Sequence, residues 1–168
     1  MRLLGTSLLI LCVACAASAQ SDAKPTLTLS CTANKPSYLP QETADLTIAV
    51  ENQGTSTFYV YNVLEWGWAG IGIRLVDDSG RIVPPKSHII PLPPPPISKK
   101  ELLVRIEPGY FYGTHLYVAL SHYSLKPGVY FLQASYRSNW SKQDGFGLPL
   151  VTSDDGEFLS EKVRIVVR

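Results

Sequence analysis

The chain has 168 residues, a length typical of one domain; 45% of them are hydrophobic and 17% are charged, against roughly 25% charged residues in an average globular protein. Fifteen Lys and Arg nearly balance fourteen Asp and Glu, which excludes a strongly basic nucleic-acid-binding domain and an acidic disordered tail. Nine Tyr and thirteen Pro beside one Met disfavour a coiled coil or a helical bundle.

The amino terminus has the pattern of a secretory signal peptide. Arg2 supplies a positive charge, a long apolar run follows, and Ala-Ser-Ala at 17–19 offers small residues to a signal peptidase. We therefore expect a signal peptide over residues 1–19. Residues 20–168 are then expected to be exported as one domain to the periplasm or the extracellular space.

Two other interpretations of this segment stay open. One is an uncleaved membrane anchor, although the apolar run is shorter than the roughly 20 residues that span a bilayer. The other is a lipoprotein acylated at Cys15, although Cys12 stands where bacterial lipoprotein signals usually carry Leu. No later segment is apolar for long enough to span a membrane, so we expect no membrane span in the exported chain.

Apolar residues alternate with polar ones along most of residues 20–168, which is the period of β-strands. The alternating sets are, in chain order, Leu27, Leu29 and Cys31; Leu46, Ile48 and Val50; Ile71, Ile73 and Leu75; Leu102, Val104 and Ile106; Tyr130, Leu132, Ala134 and Tyr136; and Val163, Ile165 and Val167. Further short strands are expected over 58–61 and 112–118. Turn residues stand between several of these sets, at 77–80, 107–109 and 126–128.

No amphipathic helical stretch of useful length interrupts these strands. Eight or nine short strands separated by turns predict an all-β fold, an antiparallel β-sandwich. The proline-rich segment over 84–96 departs from the pattern, because consecutive prolines lack the N–H groups that a central strand needs. We expect a polyproline II connector that crosses between the two sheets. A ligand for a proline-recognising groove is the alternative.

Cys31 is the only cysteine that follows the predicted signal peptide, so an intramolecular disulfide is excluded in the exported chain. It alternates with Leu27 and Leu29, which predicts a buried thiol on the core face of a strand. An intermolecular disulfide or a reactive thiol is the alternative. A nucleophilic thiol needs a base, however, and no His lies near Cys31 in the sequence.

The sequence lacks the motifs of common catalytic chemistry: there is no G-x-S-x-G, no H-E-x-x-H, no P-loop and no paired cysteine spacing. The three histidines, His88, His115 and His122, are scattered, and without a matching Cys or carboxylate they make a weak case for zinc. The run Asp-Asp-Gly-Glu at 154–157 lacks the alternating ligand spacing of a calcium loop and predicts a turn. We therefore expect no enzymatic activity, no metal and no cofactor.

The aromatic residues Trp66, Trp68 and Trp140 are the candidate ligand contacts. Trp66 and Trp68 are two residues apart, so their rings face the same side of an extended chain. Trp140 falls in a polar, Gly-containing segment over 138–156. Exposed aromatic residues on loops bind sugar rings or protein partners. The alternative is that Trp66 and Trp68 cap the open end of the core.

Several stretches together resemble the immunoglobulin-like β-sandwich domains that are common in secreted bacterial proteins. They are Lys-Pro-Ser-Tyr-Leu-Pro-Gln-Glu at 35–42 with Glu-Asn-Gln-Gly at 51–54, Leu-Lys-Pro-Gly-Val-Tyr-Phe-Leu at 125–132, and the closing strand over 159–167. The resemblance implies that Tyr130 is a tyrosine-corner residue whose hydroxyl bonds to backbone just upstream. We therefore expect Tyr130→Ala to destabilise the protein far more than Tyr123→Ala, because Tyr123 stands in a predicted loop.

A fainter similarity, in the strand–turn–strand pattern over 71–83, is to sandwich-type bacterial proteinase inhibitors. The sequence as a whole indicates a secreted, non-enzymatic immunoglobulin-like domain. Its expected partner is a protein or a carbohydrate and not a nucleic acid. An inhibitor of secreted proteases is the alternative function.

Overall fold

The computed structural model describes residues 25–64, 70–86 and 96–168, and strands dominate these residues. The strands are β1 (Leu27–Ala33), β2 (Ser37–Tyr38), β3 (Thr43–Asn52), β4 (Phe58–Tyr61), β5 (Ile71–Asp77), β6 (Leu103–Ile106), β7 (Phe111–Ala119), β8 (Gly128–Arg137), β9 (Glu157–Leu159) and β10 (Val163–Val167). Short 3₁₀ helices lie at Lys100–Leu102, Leu120–His122, Lys142–Gly145 and Ser153–Asp155. Among the described residues, no helix is long and apolar enough to cross a membrane.

Two sheets enclose the main core. One has the strand order β1-β3-β7, and the other has the order β2-β10-β8-β5 with β9 also paired to β8. In immunoglobulin-like sandwiches, strands A, B and E lie in one sheet and C, F and G in the other; β1, β3, β7 and β5, β8, β10 have this arrangement. The predicted all-β sandwich is confirmed. Its pairs are antiparallel except for β2 and β10, which run parallel.

Apolar side chains of both sheets meet in the main core, and β1, β3 and β10 bury alternate residues as their sequences predict. The pattern is clearest in β3, where every second residue is buried, from Ala44 to Asn52. Fully buried core residues of the two sheets include Leu46, Ile48, Val50, Val118, Leu132, Ala134 and Ile165. Burial of each of the larger aliphatic side chains stabilises the fold by about 1.5–3 kcal/mol.

Strands β4 and β6 form a separate two-stranded ribbon whose faces contact two different apolar clusters. Phe58, Val60 and Ile106, on one face, belong to the main core. The other face contributes to the second cluster, which consists of Tyr61, Ile97, Leu103, Trp140 and Leu150. The structure departs here from the predicted alternation, because Leu102 ends a 3₁₀ helix and packs against the second cluster instead of the main core.

The turn between β2 and β3 explains the Lys-Pro-x-Tyr-x-Pro-x-Glu pattern. Tyr38 is 1% exposed, and its hydroxyl donates to Asn34 Oδ1 at 2.7 Å. The carboxylate of Glu42 accepts the Leu39 N–H at 2.7 Å and the Lys35 ammonium at 3.0 Å. These bonds to the charged form, the backbone N–H first, hold the pKa of Glu42 below its usual value.

Tyr130 forms the tyrosine corner that the resemblance implied. Its hydroxyl donates to the Lys126 carbonyl at 3.0 Å and accepts the Lys126 N–H at 3.2 Å. The side chain is half-buried against the main core. This interaction ties the Lys-Pro-Gly turn to the start of β8.

Tyr123 does not occupy the exposed loop position on which its expected tolerance depended. It is 4% exposed and belongs to the main core. The 3₁₀ helix Leu120–His122 turns the chain inward, and a single β-bridge then joins Tyr123 to Pro85. The expectation that Tyr123 is less important than Tyr130 was therefore based on a wrong placement.

Several sequence predictions fall on residues outside the described ranges. These are the signal peptide with the lipoprotein alternative at Cys15, most of the proline-rich segment, His88, Trp66 and Trp68. They stay predictions.

The Cys31 thiol is predicted to be unreactive in the native protein. The residue is 8% exposed on the inner side of β1, and its thiol is free. Burial raises the pKa of this thiol to about 11, so little thiolate forms near neutral pH. In a chain with Cys12 and Cys15 replaced by Ser, a bulky thiol reagent should label Cys31 only after unfolding in urea. Stoichiometric labelling of native protein would contradict the buried placement.

Candidate functional site

Trp140, the candidate ligand contact that lies within the described residues, is packed inside the protein. It is 4% exposed, and its ring lies on Tyr61, with ring centroids 4.6 Å apart and planes tilted by 43°. The indole is therefore a member of the second cluster and contacts protein side chains instead of solvent.

Local hydrogen bonds hold the segment that carries Trp140. Ser141 donates its N–H and its hydroxyl to the Asp144 carboxylate, both at 2.8 Å. Thr152 donates the same two groups to Asp155, at 2.7 and 3.0 Å. The run that starts at Asp154 thus caps a 3₁₀ helix, in agreement with the turn predicted there. Such caps fix the path of a loop and, with it, the position of the buried indole.

The two histidines within the described residues lie in different structural elements. His122 is exposed at the end of a 3₁₀ helix. His115 lies on β7, and its Nδ1 is 3.2 Å from Asp45 Oδ1. Within residues 25–64, 70–86 and 96–168, no three His, Cys, Asp or Glu side chains come together as a metal site.

A different set of aromatic residues is exposed, on the outer surface of the first sheet. Phe111 is 72% exposed and Tyr117 is 69% exposed, although both belong to a regular strand, β7. Large apolar side chains exposed singly are ordinary, whereas two on one face of a single strand are typical of a binding surface. The strand rise of about 3.4 Å per residue separates the two rings by roughly 20 Å along β7.

The register of the sheet shows what lies between and beside the two rings. Residues directly opposite each other in antiparallel strands point to the same side, so the outer surface consists of four cross-strand rows. We call this surface the aromatic face; its rows are Phe111, Glu51 and Thr28; Gly113, Ala49 and Ser30; His115, Thr47 and Thr32; and Tyr117 and Asp45. Aromatic groups therefore lie along β7, and hydroxyl groups along β1.

The second row of the aromatic face is flat because it is built from small residues. A Cβ at Gly113 would lie 2.8 Å from the Ile48 carbonyl oxygen and 3.3 Å from the Ala49 Cβ. Backbone cannot move aside as the end of a side chain can, so the fold itself requires Gly at this position. With Ala49 and Ser30 beside it, the second row forms a shallow floor between the outer rows.

The aromatic face carries carboxylates but no basic side chain other than His115. None of its eleven residues is Lys or Arg, and its acidic residues are Asp45 and Glu51. The side chain of His115 is 61% exposed and that of Asp45 is 30% exposed, so water reaches both groups of the pair. An exposed pair of this kind contributes little to folding stability.

The sequence signal for this face was present but ambiguous. Both phases of β7 carry aromatic residues, Phe111 and Tyr117 in one phase and Tyr112 in the other. The inward phase is identified by its pairing, because Leu116 and Val118 are buried beside the inward residues of β3. Period-two alternation alone does not give this assignment.

The comparisons with known proteins add little to this geometry. No family model and no curated protein matches the chain. Among solved structures, the chain is similar to a β-glucosidase from Erythrobacter marinus, with 12% sequence identity and a TM-score of 0.45. The similarity covers 86% of this chain and 16% of that chain, so the chain spans only a small part of that protein's length. A likeness this low carries no argument about fold or activity.

Proposed function

We propose that the protein is an exported, non-enzymatic, immunoglobulin-like domain that binds its ligand across the aromatic face. The observation that supports this most is the exposure of Phe111 and Tyr117, at 72% and 69%, on one face of a regular strand. Leaving two large rings in water forgoes the stabilisation that burial gives apolar surface. Binding a ligand is the function for which such exposure is useful.

The open shape of this face favours binding over catalysis. Acid–base and electrostatic catalysis are strongest in a site from which water is excluded. The His115 and Asp45 pair lies instead on an open sheet, with the imidazole side chain 61% exposed. Water screens charges there, so the pair is better suited to hydrogen bonding with a ligand than to proton transfer.

The double variant Phe111→Ala, Tyr117→Ala is predicted to fold as well as the parent protein and to lose binding. Surface changes away from packing usually alter stability by no more than about 0.5 kcal/mol, so the urea midpoint should barely move. Binding is measured by co-sedimentation of the protein with insoluble surface material from the cells that produce it. The parent protein should sediment with this material, and the double variant should not.

The matched control is Ile82→Ala. Ile82 is 65% exposed beside β5, at the edge of the other sheet, and should be dispensable for retention. Unchanged retention of the double variant would overturn the proposal. So would stoichiometric inhibition of a panel of secreted proteases that survives the double substitution, because it would assign the function to protease inhibition through another surface.

A further inference from the structure

We infer that the ligand of the aromatic face is a neutral polysaccharide, bound as an extended chain that lies along β7 from Phe111 to Tyr117. This inference rests on the proposed function and names the ligand class. It follows from the kinds of side chain on the face, from their order along the strand, and from their charges.

The two rings are placed to contact separate sugar units of one chain. A pyranose presents C–H groups on its faces, and these pack on the negative π-face of an aromatic ring. Phe111 and Tyr117 are six residues apart on the same side of β7, roughly 20 Å by the strand rise. That distance is the length of several sugar units, so a single sugar cannot contact both rings.

The floor between the rings suits a flat, hydroxyl-rich chain. Gly113 and Ala49 raise no more than a methyl group above the sheet, and Gly113 cannot be larger because of the Ile48 carbonyl oxygen. The next row holds the exposed imidazole of His115, which can donate or accept a hydrogen bond with a sugar hydroxyl. Hydroxyl groups of Ser30, Thr32 and Thr47 lie beside this floor. They both donate and accept hydrogen bonds, as sugar hydroxyls do.

The carboxylates complete the match to a neutral diol-containing ligand. Asp45 and Glu51 flank the two ends of the face, next to Tyr117 and Phe111 respectively. An ionised carboxylate accepts through two oxygens, so it can accept from two adjacent sugar hydroxyls at once. The same negative charges, with no Lys or Arg on the face, repel acidic polysaccharides and nucleic acids.

The arrangement argues against a protein partner. Residues that dominate protein–protein binding cluster near the centre of the interface, where they are fully desolvated. On this face the large apolar rings lie at the two ends, and the two central rows hold small or polar residues: Gly113, Ala49, Ser30, His115, Thr47 and Thr32. A lipid surface is also disfavoured, because interfacial membrane binding uses a continuous apolar face flanked by basic residues.

Affinity electrophoresis in native gels that contain soluble neutral polysaccharides tests the ligand class. The panel includes a mixed-linkage β-glucan, a xyloglucan, a galactomannan and a mannan, with alginate as the acidic counterpart. The protein should be retarded by at least one neutral polymer and not by alginate. Phe111→Ala and Tyr117→Ala should each weaken retardation roughly tenfold in apparent affinity, whereas Ile82→Ala should leave it unchanged.

Ala49→Gln tests whether the chain crosses the centre of the face. This variant removes no ring and adds a long neutral side chain to the floor, so it should abolish retardation without shifting the urea midpoint. If the polysaccharide still retards the Ala49→Gln variant, binding of an extended chain is overturned. It is also overturned if the polysaccharide retards the Phe111→Ala and Ile82→Ala variants equally.

A second experiment tests the ligand class and the proposed function separately. It measures retention of the protein on surface material of the producing cells after that material has been treated with periodate or with a protease. Periodate cleaves vicinal diols of sugars, and a general protease removes proteins. Loss of retention after periodate, but not after protease treatment, supports a polysaccharide. Retention through the aromatic face that resists periodate and is lost after protease treatment would overturn the inference and leave the proposed function standing. No retention on any material or polymer would overturn both.

Discussion

Tyr123→Ala is expected to destabilise the protein by about 3–5 kcal/mol, the cost of replacing a fully packed aromatic side chain by Ala. Tyr123 is 4% exposed in the main core, and burial also raises the pKa of its phenol above the usual value. Tyr130→Ala should cost less, about 1.5–3 kcal/mol, because the Tyr130 ring is only half-buried. This order is the reverse of the one expected from the sequence.

Urea midpoints of both Ala variants, measured at one pH, decide the order. Tyr130→Phe serves as the matched control, because it keeps the ring and removes only the hydroxyl bonds to Lys126. It should cost about 0.5–1.5 kcal/mol in total, because both of these bonds are exposed to water and each contributes little. A midpoint for Tyr123→Ala above that for Tyr130→Ala would contradict the buried placement of Tyr123.

Asn52→Ala is expected to cost about 3–4 kcal/mol, a large part of a typical stability of about 5–15 kcal/mol. The Asn52 side chain is fully buried. Its amide donates to the carbonyls of Ser56 and Ile106, both at 2.9 Å, and its Oδ1 accepts the Gly54 N–H at 2.9 Å. Alanine leaves the buried Ile106 carbonyl without its partner, at about 1–3 kcal/mol, and removes the two part-buried bonds to Ser56 and Gly54, at about 0.5–1.5 kcal/mol each.

Asn52→Asp adds a pH dependence whose direction is fixed by the same contacts. The new carboxyl would be buried and would face two carbonyl oxygens, which disfavour its ionised form, so its folded-state pKa should rise above an unfolded value of about 3.9. Stability of this variant should therefore be greatest below that unfolded pKa and should fall as the pH rises through the folded-state pKa.

Gln53→Ala, an exposed neighbour, is the control and should show neither effect. Denaturation curves from pH 3 to pH 8 provide the measurement. An Asn52→Asp variant as stable at pH 8 as at pH 3 would show that the amide donors are not needed.

Much of the sandwich could be predicted from the sequence because its strands have one buried and one exposed side. Leu46, Ile48 and Val50 alternate with polar residues, and only one pleat orientation buries them all. The Glu-Asn-Gln-Gly run has a comparable physical basis. Asn52 joins the end of β3 to the end of β6 and accepts the Gly54 N–H, and a Cβ at Gly54 would lie 3.2 Å from the Thr26 Cβ.

The candidate site was harder to predict because its residue types carry no information about which side of a strand is covered. Phe111 and Tyr112 are adjacent aromatics in opposite phases. The alternation with Leu116 and Val118 favours Tyr112 as the inward residue, and the pairing of β7 with β3 confirms it. Trp140 posed the opposite problem. Its neighbours in sequence are polar and exposed, but the second cluster that buries it is formed by residues distant in the chain, such as Tyr61 and Ile97.

The ribbon of β4 and β6 makes the two apolar clusters mechanically dependent on each other. Neighbouring residues of β4, Val60 and Tyr61, face the main core and the second cluster respectively. Main-chain bonds also join Tyr59 to Pro149 and Val151, at 2.9 Å each, so the 138–156 segment is an extra edge of the same ribbon. Detachment of that segment would withdraw Trp140 and Leu150 from the second cluster and Val151 from the main core. The two clusters are therefore expected to open together, as one cooperative unit, and not one at a time.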